Sequence, residues 1–96
     1  MPKKTIIYYV KEVYYHEGEV DSMIYCATKD KEKAISKFRE CVSSFLNRDS
    51  VQEDIVANPY NYSIEHTEND YIWQFYYDNF YGDNCYFLDL CEITLE

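Results

Sequence analysis

The run DYIWQFYYDNFYGDNCYFLDLCEITLE, residues 70–96, decides how this chain is read. It holds Tyr71, Trp73, Phe75, Tyr76, Tyr77, Phe80, Tyr81, Tyr86 and Phe87, interleaved with acids and without a single Lys or Arg. Aromatic and β-branched side chains suit a pleated, half-buried surface. The run therefore reads as a β-hairpin with arms at residues 71–77 and 85–95, turning around Gly82, Asp83 and Asn84. Within the second arm Leu88 and Leu90 share one phase, while Cys91, Ile93 and Leu95 favour the other. A bulge near Leu90 would reconcile them.

Working back from this hairpin, residues 60–66 alternate. Tyr60, Tyr62 and Ile64 fall on one side and Asn61, Ser63 and Glu65 on the other, a short strand that meets the hairpin across the polar bend 67–70. Residues 51–57 fit a short helix with Val51, Ile55 and Val56 facing inward, stopped by Asn58 and Pro59. Residues 30–47 form the main helix. Asp30 is a good N-cap, Asn47 a left-handed C-terminal stop, and Ala34, Ile35, Phe38, Cys41, Val42, Phe45 and Leu46 make one apolar stripe. Residues 5–15 and 20–28 are strands joined at His16, Glu17, Gly18 and Glu19. The alternation of the first is imperfect, which suggests a bulge or two partly covered faces.

The expected fold is α+β: an antiparallel sheet with one main amphipathic helix on one face, in the order ββα(α)ββ, as a single domain over residues 1–96. A split arrangement with the last strand parallel to the first is the alternative, and pattern alone does not set strand order.

The net charge is −9, and its placement is uneven. All nine Lys and Arg lie in residues 1–48, where seven acids leave about +2; residues 49–96 carry eleven acids and no basic residue, hence −11. Aromatic platforms that stack bases also need a basic groove for phosphates. The aromatic half has the opposite charge, which argues against direct nucleic-acid binding and against an anionic membrane surface. It favours a basic protein surface.

Little in the chain points to catalysis. His16 and His66 stand alone, with no nucleophile motif around them, and Gly18 and Gly82 cannot make a phosphate loop. Residues 65–70 read as a polar bend rather than a metal site, because EF-hand spacing is missing. No cofactor, metal or enzymatic activity is expected. Cys26, Cys41, Cys85 and Cys91 lack CxxC spacing and are expected as free thiols. With neither a signal peptide nor an apolar span of about 20 residues, the expected setting is the cytoplasm of a bacterial host.

A Tyr/Val-rich opening hairpin, a helix starting Asp30, Lys31, Glu32, Lys33, Ala34, and an acidic, Tyr-rich closing hairpin ending Cys91, Glu92, Ile93, Thr94, Leu95, Glu96 together resemble small proteins carried by bacteriophages and mobile elements, including those of the anti-CRISPR type. The resemblance implies an inhibitor that imitates nucleic acid in charge and blocks a nucleic-acid-handling protein such as a Cas effector. The residues expected to grip it are Glu68, Asp70, Asp78 and Asp83, with Tyr76, Tyr77, Phe80 and Tyr81 as aromatic anchors. One helix layer cannot cover both faces of so aromatic a sheet. The alternative is therefore a structural or regulatory homodimer that buries the excess.

Overall fold

The structure, a computed structural model, describes residues 4–16, 18–57, 62–70, 72–79 and 84–95. Its elements are β1 (Thr5–His16), β2 (Glu19–Thr28), α1 (Lys31–Leu46), α2 (Asp49–Ala57), β3 (Tyr62–Glu68), β4 (Trp73–Asn79) and β5 (Asn84–Leu95). The strands form one five-stranded sheet in the order β2-β1-β5-β4-β3, every neighbour antiparallel. The fold is α+β. The last strand does lie beside the first, but antiparallel to it and at the centre of the sheet.

α1 starts where capping chemistry allows. The Asp30 carboxylate accepts from the backbone N–H of Glu32 at 3.0 Å, meeting one of the four donors that a helix start leaves free. Asn47 ends the helix without going left-handed: its φ is −90°, its N–H donates to the Ser43 carbonyl at 3.0 Å, and the next N–H, of Arg48, donates to the Phe45 carbonyl at 3.2 Å. The apolar stripe of α1 buries Ala34, Ile35, Phe38, Val42 and Phe45. α2 adds Val51 to the core, with Ile55 against it, whereas Val56 is exposed and does not pack inward.

β1 and β2 slip by one residue between Tyr8 and Val10. The step from Tyr8 to Val10 on β1 is matched by Thr28 to Tyr25 on β2, so the extra residue sits on β2. Cys26 lies in that interval with φ +55°, the left-handed backbone conformation that a bulged residue can adopt. The expected irregularity of β1 is thus a bulge of its partner. β5 carries no bulge near Leu90, since its register with β1 runs unbroken from Cys85 to Leu95.

Both helices lie on one face. Along β5, Tyr86 and Leu88 are buried beneath them, as are Val10 of β1 and Phe75 and Tyr77 of β4. Phe45 is the hub: its ring stacks on Tyr86 at 3.9 Å and meets Phe75 and Tyr77 edge-on at 5.8 and 5.2 Å. The other phase of β1 and β5 faces away from the helices. That face presents Ile7, Tyr9, Val13 and Tyr15 beside Cys85, Phe87, Cys91, Ile93 and Leu95. The two phases of β5 are therefore two apolar faces of a continuous strand.

Candidate interaction surface

Register determines which acids meet in space. Tyr15 pairs with both Val20 and Cys85, and Cys85 with Asp78. The β1–β2 turn and the β4–β5 turn consequently lie at the same end of the sheet. α2 crosses that end, with its Asp54 carboxylate accepting from the Tyr77 hydroxyl. Glu19 and Asp21 of β2, Asp49, Glu53 and Asp54 of α2, and Asp78 of β4 thereby collect at one pole. Among the described residues the Lys or Arg at this end is Arg48, whose guanidinium is directed at the rings of Phe45, Tyr14 and Tyr86 at 5.3, 5.9 and 5.9 Å. His16 bonds Asp21 at 2.7 Å. Glu19, Asp49 and Glu53 are exposed.

The residues expected from sequence divide between two ends. Asp78 belongs to the acidic pole, where it accepts from the Tyr76 hydroxyl at 2.9 Å and from the Cys85 thiol at 3.4 Å. Burial, and then the Asp78 carboxylate, push the Tyr76 hydroxyl up to about 12. Glu68 pairs with Trp73 at the other end of β4, roughly 17 Å from Asp78 at a strand's rise per residue, and Asp70 follows in the bend between β3 and β4. Glu68 is paired with Arg39 at 3.1 Å on the helix side. Asp70 stands in the wall of a hollow of about 200 Å³ with Tyr8, Lys31, Trp73 and Glu92. Glu68 and Asp70 thus do not join Asp78 in one acidic row. Tyr77 is a correction too: it is 3% exposed and is a core residue, because its phase on β4 points under Phe45 and α2. Phe80, Tyr81 and Asp83 lie outside the described residues. Residues 65–68 belong to β3, so Glu65 faces away from His66 and Glu68 rather than sharing a bend with them.

Sequence reading missed Glu19 and Asp21, which sit in the half of the chain with positive net charge. Only the pairing of β1 with β5 brings them to the acidic pole. It missed Glu12 as well. This half-buried carboxylate accepts from the hydroxyls of Tyr86 at 2.5 Å and Tyr25 at 3.4 Å beneath α1. An isolated Glu in a strand gives no sign of such partners.

On the helix-free face the charges of the two central strands are Lys11 and Asp89, neighbours in register. Burial raises the Asp89 carboxyl above the usual range, with Gln74 and Lys11 opposing it. A carboxyl whose pKa is higher folded than unfolded keeps its proton longer in the native state. Stability tied to Asp89 therefore falls as pH rises from the unfolded pKa through the folded one. In the isolated chain, at concentrations low enough to keep it monomeric, Asp89→Asn is expected to gain more stability over the wild type at about pH 7 than at about pH 3, read by urea unfolding at both. An equal effect at the two values would contradict this.

The four cysteines are free thiols. Among the described residues no helix is long and apolar enough to cross a membrane. No protein-family model matches this chain, and no match is found among curated proteins or solved structures.

Proposed function

We propose that this protein is a binding protein that inhibits a basic, nucleic-acid-binding bacterial protein, a CRISPR-Cas effector being one example, by setting its acidic pole into the groove where that protein holds phosphates. An origin in a phage or mobile element, as the resemblance implies, belongs to the same reading. The observation that carries it is the convergence of acids from β2, α2 and β4 on one end of the sheet, with the nearby Arg48 turned onto aromatic rings. Such a pole steers a basic partner by field and suppresses pairing with nucleic acid itself.

The test combines capture with competition. The immobilised protein is exposed to a bacterial lysate, and each retained protein is purified and titrated. The expected partner binds nucleic acid, and its nucleic acid competes for the same surface. Glu19→Gln, Asp49→Asn, Glu53→Gln and Asp78→Asn together should weaken the complex about 100-fold, as the loss of several steering and rim contacts does. Asp54 is kept because it takes the hydroxyl of the core residue Tyr77, and Asp21 because it pairs with His16; Asp78→Asn retains an oxygen to accept from Tyr76. A retained protein that binds this variant equally well, or that binds the inhibitor and nucleic acid at the same time, would refute the reading.

A further inference from the structure

Among the described residues nothing covers the helix-free face. It is long, because β1 and β5 are each twelve residues and pair without a break from Thr5 with Leu95 to Tyr15 with Cys85. It is also apolar and open: Tyr15 is 43% exposed, Ile93 47% and Leu95 52%. Soluble monomers rarely leave so continuous an apolar surface in water.

We propose that a second copy of this chain covers this face, the two sheets packing face to face about a two-fold axis that runs along the strands between β1 and β5. Such an axis lays β1 of each copy over β5 of the other. Small side chains then meet large ones, Val13 against Phe87 and Cys91 against Tyr9, which is what interdigitated sheet packing requires. It also brings Lys11 of each copy over Asp89 of the other, so the charges at the centre of the face neutralise each other twice. An in-plane axis across the strands through the same row would instead set Lys11 on Lys11 and Asp89 on Asp89. The self-complementary arrangement is therefore the one that exchanges the two central strands.

The size is adequate. Two strands roughly 40 Å long and about 4.8 Å apart, flanked over half that length by β2 and β4, give a footprint on the order of 550 Å² before side-chain relief. Side-chain relief brings this towards the about 800 Å² per partner of a standard interface. Because the axis runs along the strands, both acidic poles emerge at the same end of the dimer. This inference rests on the helix-free face and on no outside partner; of the acidic pole, Asp78 alone shares that face, beside Cys85 at its end.

The test is complementation in trans, followed by light scattering and sedimentation with circular dichroism as the check on folding. The wild type is expected at twice its 11.6 kDa mass. Lys11→Asp and Asp89→Lys, each alone, create two like-charge contacts across the axis and should weaken the dimer about 100-fold, leaving folded monomers. Mixing the two variants should restore the dimer, because each then meets opposite charge on the other chain. No repair within a single chain can produce that result. Ile93→Glu, at an open position of β5, should also give folded monomer. A wild type that stays at 11.6 kDa at every concentration would overturn the proposal. So would a dimer indifferent to both charge variants, or single variants that gain nothing on mixing.

Discussion

Phe45→Ala is expected to lower the stability of the domain by about 3–5 kcal/mol, the usual cost of deleting a large aromatic from a packed core. Phe45 is 1% exposed. Its ring stacks almost parallel on Tyr86, at an interplanar angle of 13°, and two further rings of β4 meet it edge-on. Arg48 caps the cluster. No neighbour can move into the gap without leaving its own contacts, because strand pairing fixes Phe75, Tyr77 and Tyr86 in adjacent registers. A domain of this size has only about 5–15 kcal/mol to lose, so the variant should sit near its folding limit at moderate temperature. Urea unfolding monitored by circular dichroism reads the effect. A loss below about 1 kcal/mol would mean that α1 is not held to the sheet through this ring.

Tyr86→Phe should cost about 1.5–3 kcal/mol, the range for a hydrogen bond to a charged group. The ring stays, so packing is preserved; what disappears is the donor to Glu12. That carboxylate lies under α1 and is held by tyrosine hydroxyls, from Tyr86 at 2.5 Å and Tyr25 at 3.4 Å. Burial, and then the bond to Glu12, hold the Tyr86 hydroxyl far above the ordinary tyrosine range, so it remains a donor at any working pH. Without it, a half-buried charge is left with the longer bond alone. Replacing all three partners, as Tyr86→Phe and Tyr25→Phe with Glu12→Leu, should recover most of the loss, because none of the polar groups then remains unmatched. A triple variant as unstable as the sum of its single ones would show that these bonds are not the cause.

The local elements were legible in the sequence because their determinants are local. Asp30 caps α1, the apolar stripe from Ala34 to Phe45 turns it toward the sheet, and Gly18, at φ +82°, serves the β1–β2 turn. Strand order was not legible. The pairing of β1 with β5 joins residues about as far apart in the chain as they can be, and no local pattern encodes it. The candidate site inherits that limit. The count of acids in residues 49–96 suggested a single acidic half, yet Glu68 is neutralised by Arg39 and Asp70 stands beside Lys31, while Glu19 and Asp21 come from the other half of the chain. Tyr77 was misplaced for a related reason. Tyr76 and Tyr77 are equivalent in composition, and only the direction of the pleat assigns one to each face. The change of phase near Leu90, which suggested a bulge, instead marks a strand that is apolar on both faces.

The central claim is that the acidic pole engages a basic partner by charge. The most direct measurement of it is the dissociation constant of the complex with the captured partner, followed from low to above physiological salt for the wild type and for the four-site neutralised variant. Exposed charges are screened over about 8–10 Å at physiological ionic strength. The wild type should therefore lose affinity by about tenfold or more across the range, with a steeper slope than the variant. Affinity that does not change with salt, or equal slopes for the two proteins, would contradict the account.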